Sequence, residues 1–290
     1  MTKPNSQTGR VTFLEGRGDL PMLEIATPWS SAGLYLHGAH VTHFQKQGEP
    51  PLLFMSQCSR FEPGAPIRGG IPIIFPWFGK SPGKPGQHGF ARVKVWELTE
   101  VLSPPDGSVT VRLRLPGCAE LPGIEVNYLV TVGETLAVEL IVLNKSSAEL
   151  NFENCLHTYF LVGDINAVSV AGLQGVDYLD SLADRARRTE TAEVIRFTGE
   201  VDRVYVDTPH AMEIRDCSLR RTIRVEKSGS ASTVVWNPWI AKAKSMSDFG
   251  DEEYQTMVCV ESGNVAMNQV ELAAGQSAKL KVKLSSAPLL

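Results

Sequence analysis

The chain lacks what would tie it to a membrane or to nucleic acid. Across 290 residues no stretch approaches the roughly 18 consecutive apolar residues of a spanning helix. The opening MTKPNSQTGR is polar and has no apolar core of a leader peptide. Basic residues number 28 against 32 acidic ones, a net charge of -4, so no positive field gathers phosphate backbones or anionic lipid. Cysteine is sparse as well. Its five copies (Cys58, Cys118, Cys155, Cys217, Cys259) are scattered and odd in number, and none shows C-x-x-C spacing, which argues against a disulfide framework or a zinc site. A cytoplasmic protein is expected. What the chain does have is apolar material: 43% hydrophobic and 21% charged residues are the proportions of a chain that buries a large core.

The apolar residues recur with period two. Val109, Val111, Leu113 and Leu115 alternate with Thr110, Arg112 and Arg114, and Leu280, Val282 and Leu284 alternate with Lys279, Lys281 and Lys283. The lysine-faced segment predicts a sheet edge. EVNYLVTV (residues 125–132) and LAVELIVLN (136–144) flank a glycine-containing turn and predict a hairpin. Further strands are expected at 204–206, 222–225, 233–236 and 256–260, and short helices at 179–188 and 240–249. No repeat or linker divides residues 1–290. The pattern predicts one all-β domain, a large antiparallel β-sandwich with short helical decorations. Residues 61–89, dense in proline and glycine yet holding Ile71, Ile73, Ile74, Phe75 and Trp77, form a long anchored loop of the kind that carries function.

Polar residues gather in a few places. If residues 151–160 form one strand, Asn151, Glu153, Cys155, His157 and Tyr159 share a face and Phe152, Leu156 and Phe160 take the other, as in a cleft wall. Read alone, His157 is equally a hydrogen-bonded structural histidine. Glu261 ends the apolar run Met257 to Val260, where burial would raise a carboxyl pKa, although a solvated strand-end glutamate is the plainer account. Arg68, Gln87, His88 and Arg92 lie in or beside the Gly/Pro loop, and guanidinium forks there suit a phosphate as well as a surface ion pair. The order of a nucleotide P-loop is absent. His37, His40 and His43 do not share one strand face and predict no metal site. Trp236 and Trp239 are either core or a sugar platform, and Arg185, Arg187 and Arg188 read as a solvated face.

Seven motifs in register, IRGGIPIIFPWFG, GQHGFAR, LHTYF, GVDYLD, EVDRVY, VVWNPW and VCVESG, cover nearly the whole chain. Together they resemble the glucose-6-phosphate 1-epimerase (hexose-6-phosphate mutarotase) branch of the aldose 1-epimerase superfamily. The resemblance implies a galactose mutarotase-like β-supersandwich. It implies His157 and Glu261 as the catalytic pair, and Arg68, Gln87, Arg92 and Asp202 as substrate-binding positions with His88 adjoining the sugar. The family loop often reads P-Q-H-G, where this chain has Gly86 before Gln87, and GKSPGKPG gives Lys80 and Lys84 no role.

Anomer exchange needs a base for the C1 hydroxyl proton and an acid for the ring oxygen, and each must act in both senses. Glu261 as base and protonated His157 as acid would supply both, with no cofactor and no metal. The expected partner is a small-molecule sugar phosphate, most simply glucose 6-phosphate, acted on by a monomer. Three rivals stand beside it: a mutarotase for unphosphorylated hexoses, a non-catalytic sugar-binding or sensing domain, and a glycosidase using Glu261 and Asp202.

Overall fold

The computed structural model describes residues 9–117, 119–208 and 211–289; Cys118 and the first eight residues lie outside them. Strands dominate these residues, and the α-helix among them is Trp239–Ser245. Nine strands form one antiparallel sheet in the order Val194–Arg196, Val168–Ala171, Met212–Asp216, Arg221–Ser228, Ser277–Pro288, Leu136–Asn144, Ile124–Val132, Val109–Leu115, Glu97–Leu102. A second, eight-stranded sheet runs Ala186–Thr189, Asp177–Asp180, Val201–Tyr205, Ser232–Asn237, Met257–Asn264, Asn154–Leu156, Ile73–Ile74, with Tyr159–Leu161 also paired to Met257–Asn264. A four-stranded sheet near the N-terminus follows chain order from Arg10–Glu15 to His40–Lys46.

The alternation in the sequence is what joins the two large sheets. Val109, Val111, Leu113, Val138, Leu140, Leu280 and Val282 from one sheet and Leu156, Val258 and Val260 from the other are buried in the same apolar cluster. Thr110, Arg112 and Arg114 face outward, as period two requires. The hairpin of residues 125–144 forms with Val132 opposite Leu136. Strands also appear where the 204–206, 222–225, 233–236 and 256–260 segments predict them.

Four local expectations are corrected. The lysine-faced segment is not an edge: Ser277–Pro288 pairs with Arg221–Ser228 on one side and Leu136–Asn144 on the other. Alternating lysines report a solvated face, and an interior strand of a sheet covered on one side has such a face as well. Residues 179–188 form a hairpin in place of a helix. The Asp180 carboxylate accepts the Leu182 amide in a tight turn, and Asp177 takes Arg187 and Thr189 from the opposing strand. The second predicted helix stops at Ser245, leaving Met246 to Phe249 as a turn. Residues 151–160 are three short strands, Leu150–Phe152, Asn154–Leu156 and Tyr159–Leu161, not one.

The break at His157 and Thr158 follows from the Gly/Pro segment, which threads against it. The His157 amide donates to the Pro72 carbonyl and the Tyr159 amide to the Gly70 carbonyl. Gly70 makes this approach possible. At φ 60°, a Cβ there would lie 2.2 Å from the Val41 carbonyl oxygen. His40, fully buried, reaches the Gly69 carbonyl through Nε2 at 2.8 Å, and His37 holds the Ala65 carbonyl at 2.7 Å. These two histidines brace the loop backbone, and burial drives the His40 imidazole down to about 3.

Candidate active site

Glu261 lies on Met257–Asn264, an interior strand of the eight-stranded sheet, and is 1% exposed. His157 hangs in the interruption between the two short strands that pair with that same strand. Its Nε2 lies 3.3 Å from Glu261 Oε1. The other carboxylate oxygen accepts from the Cys155 thiol at 3.5 Å. The His157 ring stacks on Tyr159 with centroids 4.7 Å apart and meets Trp236 and His88 edge-on. Cys155, His157 and Tyr159 therefore share one face, as the alternation predicts, even though the strand is broken. Glu153 leaves that set: its two oxygens hold the Phe78 and Ala266 amides.

A cavity of about 400 Å³ opens over the pair, and Arg68, Gln87, His88 and Asp202 line it with His157 and Glu261. Six of the seven site residues named from the sequence thus meet at one place. Arg92 is the exception. It lines an adjoining cavity of about 600 Å³, which shares Gln87 with the first, and its Nη2 donates to the Gln87 carbonyl at 2.8 Å. Trp236 lines the site cavity, whereas Trp239 packs on Tyr254, centroids 5.3 Å apart, so the two tryptophans divide between site and core. Gly86 has φ 73°, which a proline cannot adopt, and the loop before Gln87 takes a course the P-Q-H-G form excludes.

Arg68 is more committed than its sequence shows. Its Nε and Nη2 fork onto the Asp248 carboxylate at 3.2 and 3.0 Å, and Nη1 donates to the Tyr159 hydroxyl at 2.9 Å. Asp248 is 180 residues away in sequence, and no spacing rule could have found it. Lys80, Ser181, Arg185 and Lys242 also line the rim, although the sequence reading gave Lys80 no role and took Arg185 for a solvated face. Their signal is tertiary alone: the 177–189 hairpin brings Ser181 and Arg185 to the cleft, the short helix Lys242, and the Gly/Pro loop Lys80.

Burial dominates the electrostatics. It raises the Glu261 carboxyl well above its usual range; the Cys155 donor and Arg92 oppose the shift and Asp202 adds to it. Burial lowers His157 well below an ordinary imidazole, helped by His88, Arg68 and Arg92, and it brings His88 down to about 3. Arg92 falls to about 10, through burial first and the neighbouring positive Arg68 second. Burial also pulls on Arg68, but Tyr159 and Asp248 outweigh it and hold that guanidinium above its ordinary value. Asp202 is raised by burial, against a hydrogen bond from Ser181.

His157 and Glu261 are thus a buried imidazole–carboxyl pair that lines the cavity. Residues 21–285 match the aldose 1-epimerase family. The chain belongs to that family. A curated protein of Cenchrus ciliaris named "Putative glucose-6-phosphate 1-epimerase" is 36% identical over 272 residues, covering 89% of this chain and 82% of that one. The crystal structure of a Salmonella typhimurium protein described as a "putative mutarotase (YeaD)" superimposes with a TM-score of 0.87 at 29% identity, covering 96% of this chain and 97% of that one. A galactose mutarotase-like protein from Clostridium acetobutylicum, at 16% identity, shares the fold with a TM-score of 0.71 over 97% of this chain and 99% of its own. The supersandwich fold is therefore that of the galactose mutarotase-like proteins. No helix among the described residues is long and apolar enough to cross a membrane.

Proposed function

We propose that the whole chain, residues 1–290, acts as one mutarotase domain that interconverts the α and β anomers of an aldohexose 6-phosphate, with glucose 6-phosphate the foremost substrate. The observation that carries the reading is the buried pair, His157 Nε2 at 3.3 Å from Glu261 Oε1, beneath a cavity that Arg68 and Arg185 also line. The Glu261 carboxylate takes the proton of the C1 hydroxyl while the His157 imidazolium gives one to the ring oxygen. The bond from C1 to the ring oxygen breaks and the C1 carbonyl forms. Rotation about C1–C2 and the reverse transfers close the other anomer.

Protons balance within the pair and the sugar. Once the ring is open, Glu261 is protonated and His157 neutral, the distribution that burial favours for both groups. The same proton returns on closure, so each residue serves as acid and as base, and each positioned transfer contributes on the order of 10²- to 10⁴-fold. After burial, the neighbouring Arg68 depresses the cationic preference of Arg92, and an anion between the two would relieve that repulsion. With Gln87 at the junction of the two cavities, the sugar ring would lie over the pair and its phosphate toward the arginines.

A second reading rests on the fork of Arg68 onto Asp248, which satisfies its best donors internally and favours an unphosphorylated hexose. One experiment separates the two. Anomerisation of α-glucose 6-phosphate and of free α-glucose is followed by polarimetry or NMR for the wild type, for His157→Ala and for buffer. Acceleration of the phosphate ester alone, lost in the variant, is expected. Equal acceleration of glucose would support the second reading, and no acceleration of either sugar would remove both in favour of a binding domain.

A further inference from the structure

We infer that the acid/base pair also forms, with Cys259, a site for a thiophilic divalent cation of the zinc class, and that such an ion shuts the enzyme off reversibly. The inhibitory part of this inference rests on the reading of His157 and Glu261 given above.

Strand alternation places Cys259 and Glu261 on the same face of Met257–Asn264. Tyr159 pairs with Cys259 and Leu156 with Ser262, so His157, carried in the gap between those pairings, is set against both side chains. One imidazole nitrogen, the thiol sulfur and one carboxylate oxygen lie within 4.8 Å of one another, and all three residues are buried. Imidazole, thiolate and carboxylate are the zinc donor set, and three protein ligands leave a fourth position that here faces the cavity. The 3.3 Å between Nε2 and Oε1 is already the edge of a tetrahedron around an ion with bonds of roughly 2.1 Å. Cys259 completes it by closing in on the order of 1 Å. Cys155 holds the other oxygen of Glu261 at 3.5 Å, as an outer partner that fixes the ligand's orientation.

The ion enters by displacing protons. The Cys259 thiol, held up by burial, loses its proton to solvent as the sulfur–metal bond forms, and a protonated Glu261 does the same. Nothing is oxidised or reduced, and affinity rises with pH. The bound ion occupies the nitrogen and oxygen that would exchange protons with the sugar, so it competes with substrate. Cys259 takes no part in the proton transfers, and its buried neighbours Phe54, Tyr159 and Met257 are apolar or aromatic, which makes it the residue to vary.

The test adds Zn²⁺ to the wild type and to Cys259→Ala while α-glucose 6-phosphate anomerisation is followed, then adds EDTA. In parallel, Co²⁺ is added without sugar and the near-ultraviolet thiolate-to-cobalt band is recorded. Expected are inhibition of the wild type that EDTA reverses, unchanged metal-free turnover in the variant with inhibition weakened on the order of 10²-fold, and a cobalt band in the wild type alone. Inhibition undiminished in Cys259→Ala, or no thiolate band in the wild type, would overturn the proposal. A band from a protein that does not turn over sugar would uphold the metal site and sink the mutarotase reading, so the two failures are distinguishable.

Discussion

The Cys155 thiol donates to Glu261 Oε2 at 3.5 Å, while Oε1 of the same carboxylate faces His157 at 3.3 Å. The two oxygens are thus engaged differently, one by a buried thiol and one by the His157 imidazole. Gly263, paired with Cys155 across the strands, leaves room for this: a Cβ there would come within 2.8 Å of the sulfur.

Removing that donor should move the acid limb of the pH–rate profile. A hydrogen bond to the charged form favours it, so in Cys155→Ala the Glu261 carboxyl rises further and the base form is reached only at higher pH. The acid limb of kcat/KM shifts upward, and turnover at pH 7 falls. Cys155→Ser, which keeps a donor, should restore the profile. A profile unmoved in Cys155→Ala would deny the thiol this role.

Glu261→Gln keeps the shape of the side chain and removes its capacity to accept a proton. Turnover should drop on the order of 10²- to 10⁴-fold. Calorimetry should still show glucose 6-phosphate binding, because Arg68, Gln87 and Asp202 are untouched. Turnover near that of the wild type would exclude Glu261 as the base.

The two arginines should behave differently. Arg92→Ala should raise KM for the phosphate ester more than for free glucose and leave the melting temperature close to that of the wild type, since its side chain donates to the Gln87 carbonyl on an exposed loop. Arg68→Ala leaves Asp248 without its partner and should cost about 2–3 kcal/mol, less than a fully buried pair because the two side chains are 21% and 16% exposed. Thermal melting with the two substrates' KM values checks both statements.

Lys227 gives a pH dependence of stability unrelated to turnover. Its ammonium, enclosed by Thr208, Ser230, Ser232 and Thr233 and lowered by burial to about 7, ties a strand of the nine-stranded sheet to the strand beside Glu261. Because the folded pKa lies below the unfolded value, the unfolded chain binds more protons between about pH 7 and the ordinary lysine range. This residue's contribution to stability therefore grows as pH rises through that window, and Lys227→Met should flatten the rise in denaturation midpoint. A slope identical in variant and wild type would contradict the assignment.

Period two sufficed to read the nine-stranded sheet, because alternation in 109–115 and 280–284 depends only on which face is wet. It could not tell edge from interior at Lys279 to Lys283, since the outward face of an interior strand has the same composition. His157 and Glu261 were legible through their motifs, and the structure brings them together. The Arg68–Asp248 fork, the Cys155 donor and Lys227 were not, for each joins segments that only the folded topology makes neighbours. The helix expected at 179–188 is a hairpin instead, because Asp177–Asp180 pairs with Ala186–Thr189, a cross-strand match that local composition does not reveal.

The broken strand at His157 also decides which parts of the molecule open as a unit. Since the amides of His157 and Tyr159 bond to Pro72 and Gly70, and not across the strand pairs on either side, their exchange with deuterium is governed by the Gly/Pro segment that bears Arg68. The histidine and the loop that surrounds the cavity form one cooperative element. A substrate that steadies the loop would slow amide exchange at His157 without touching its backbone.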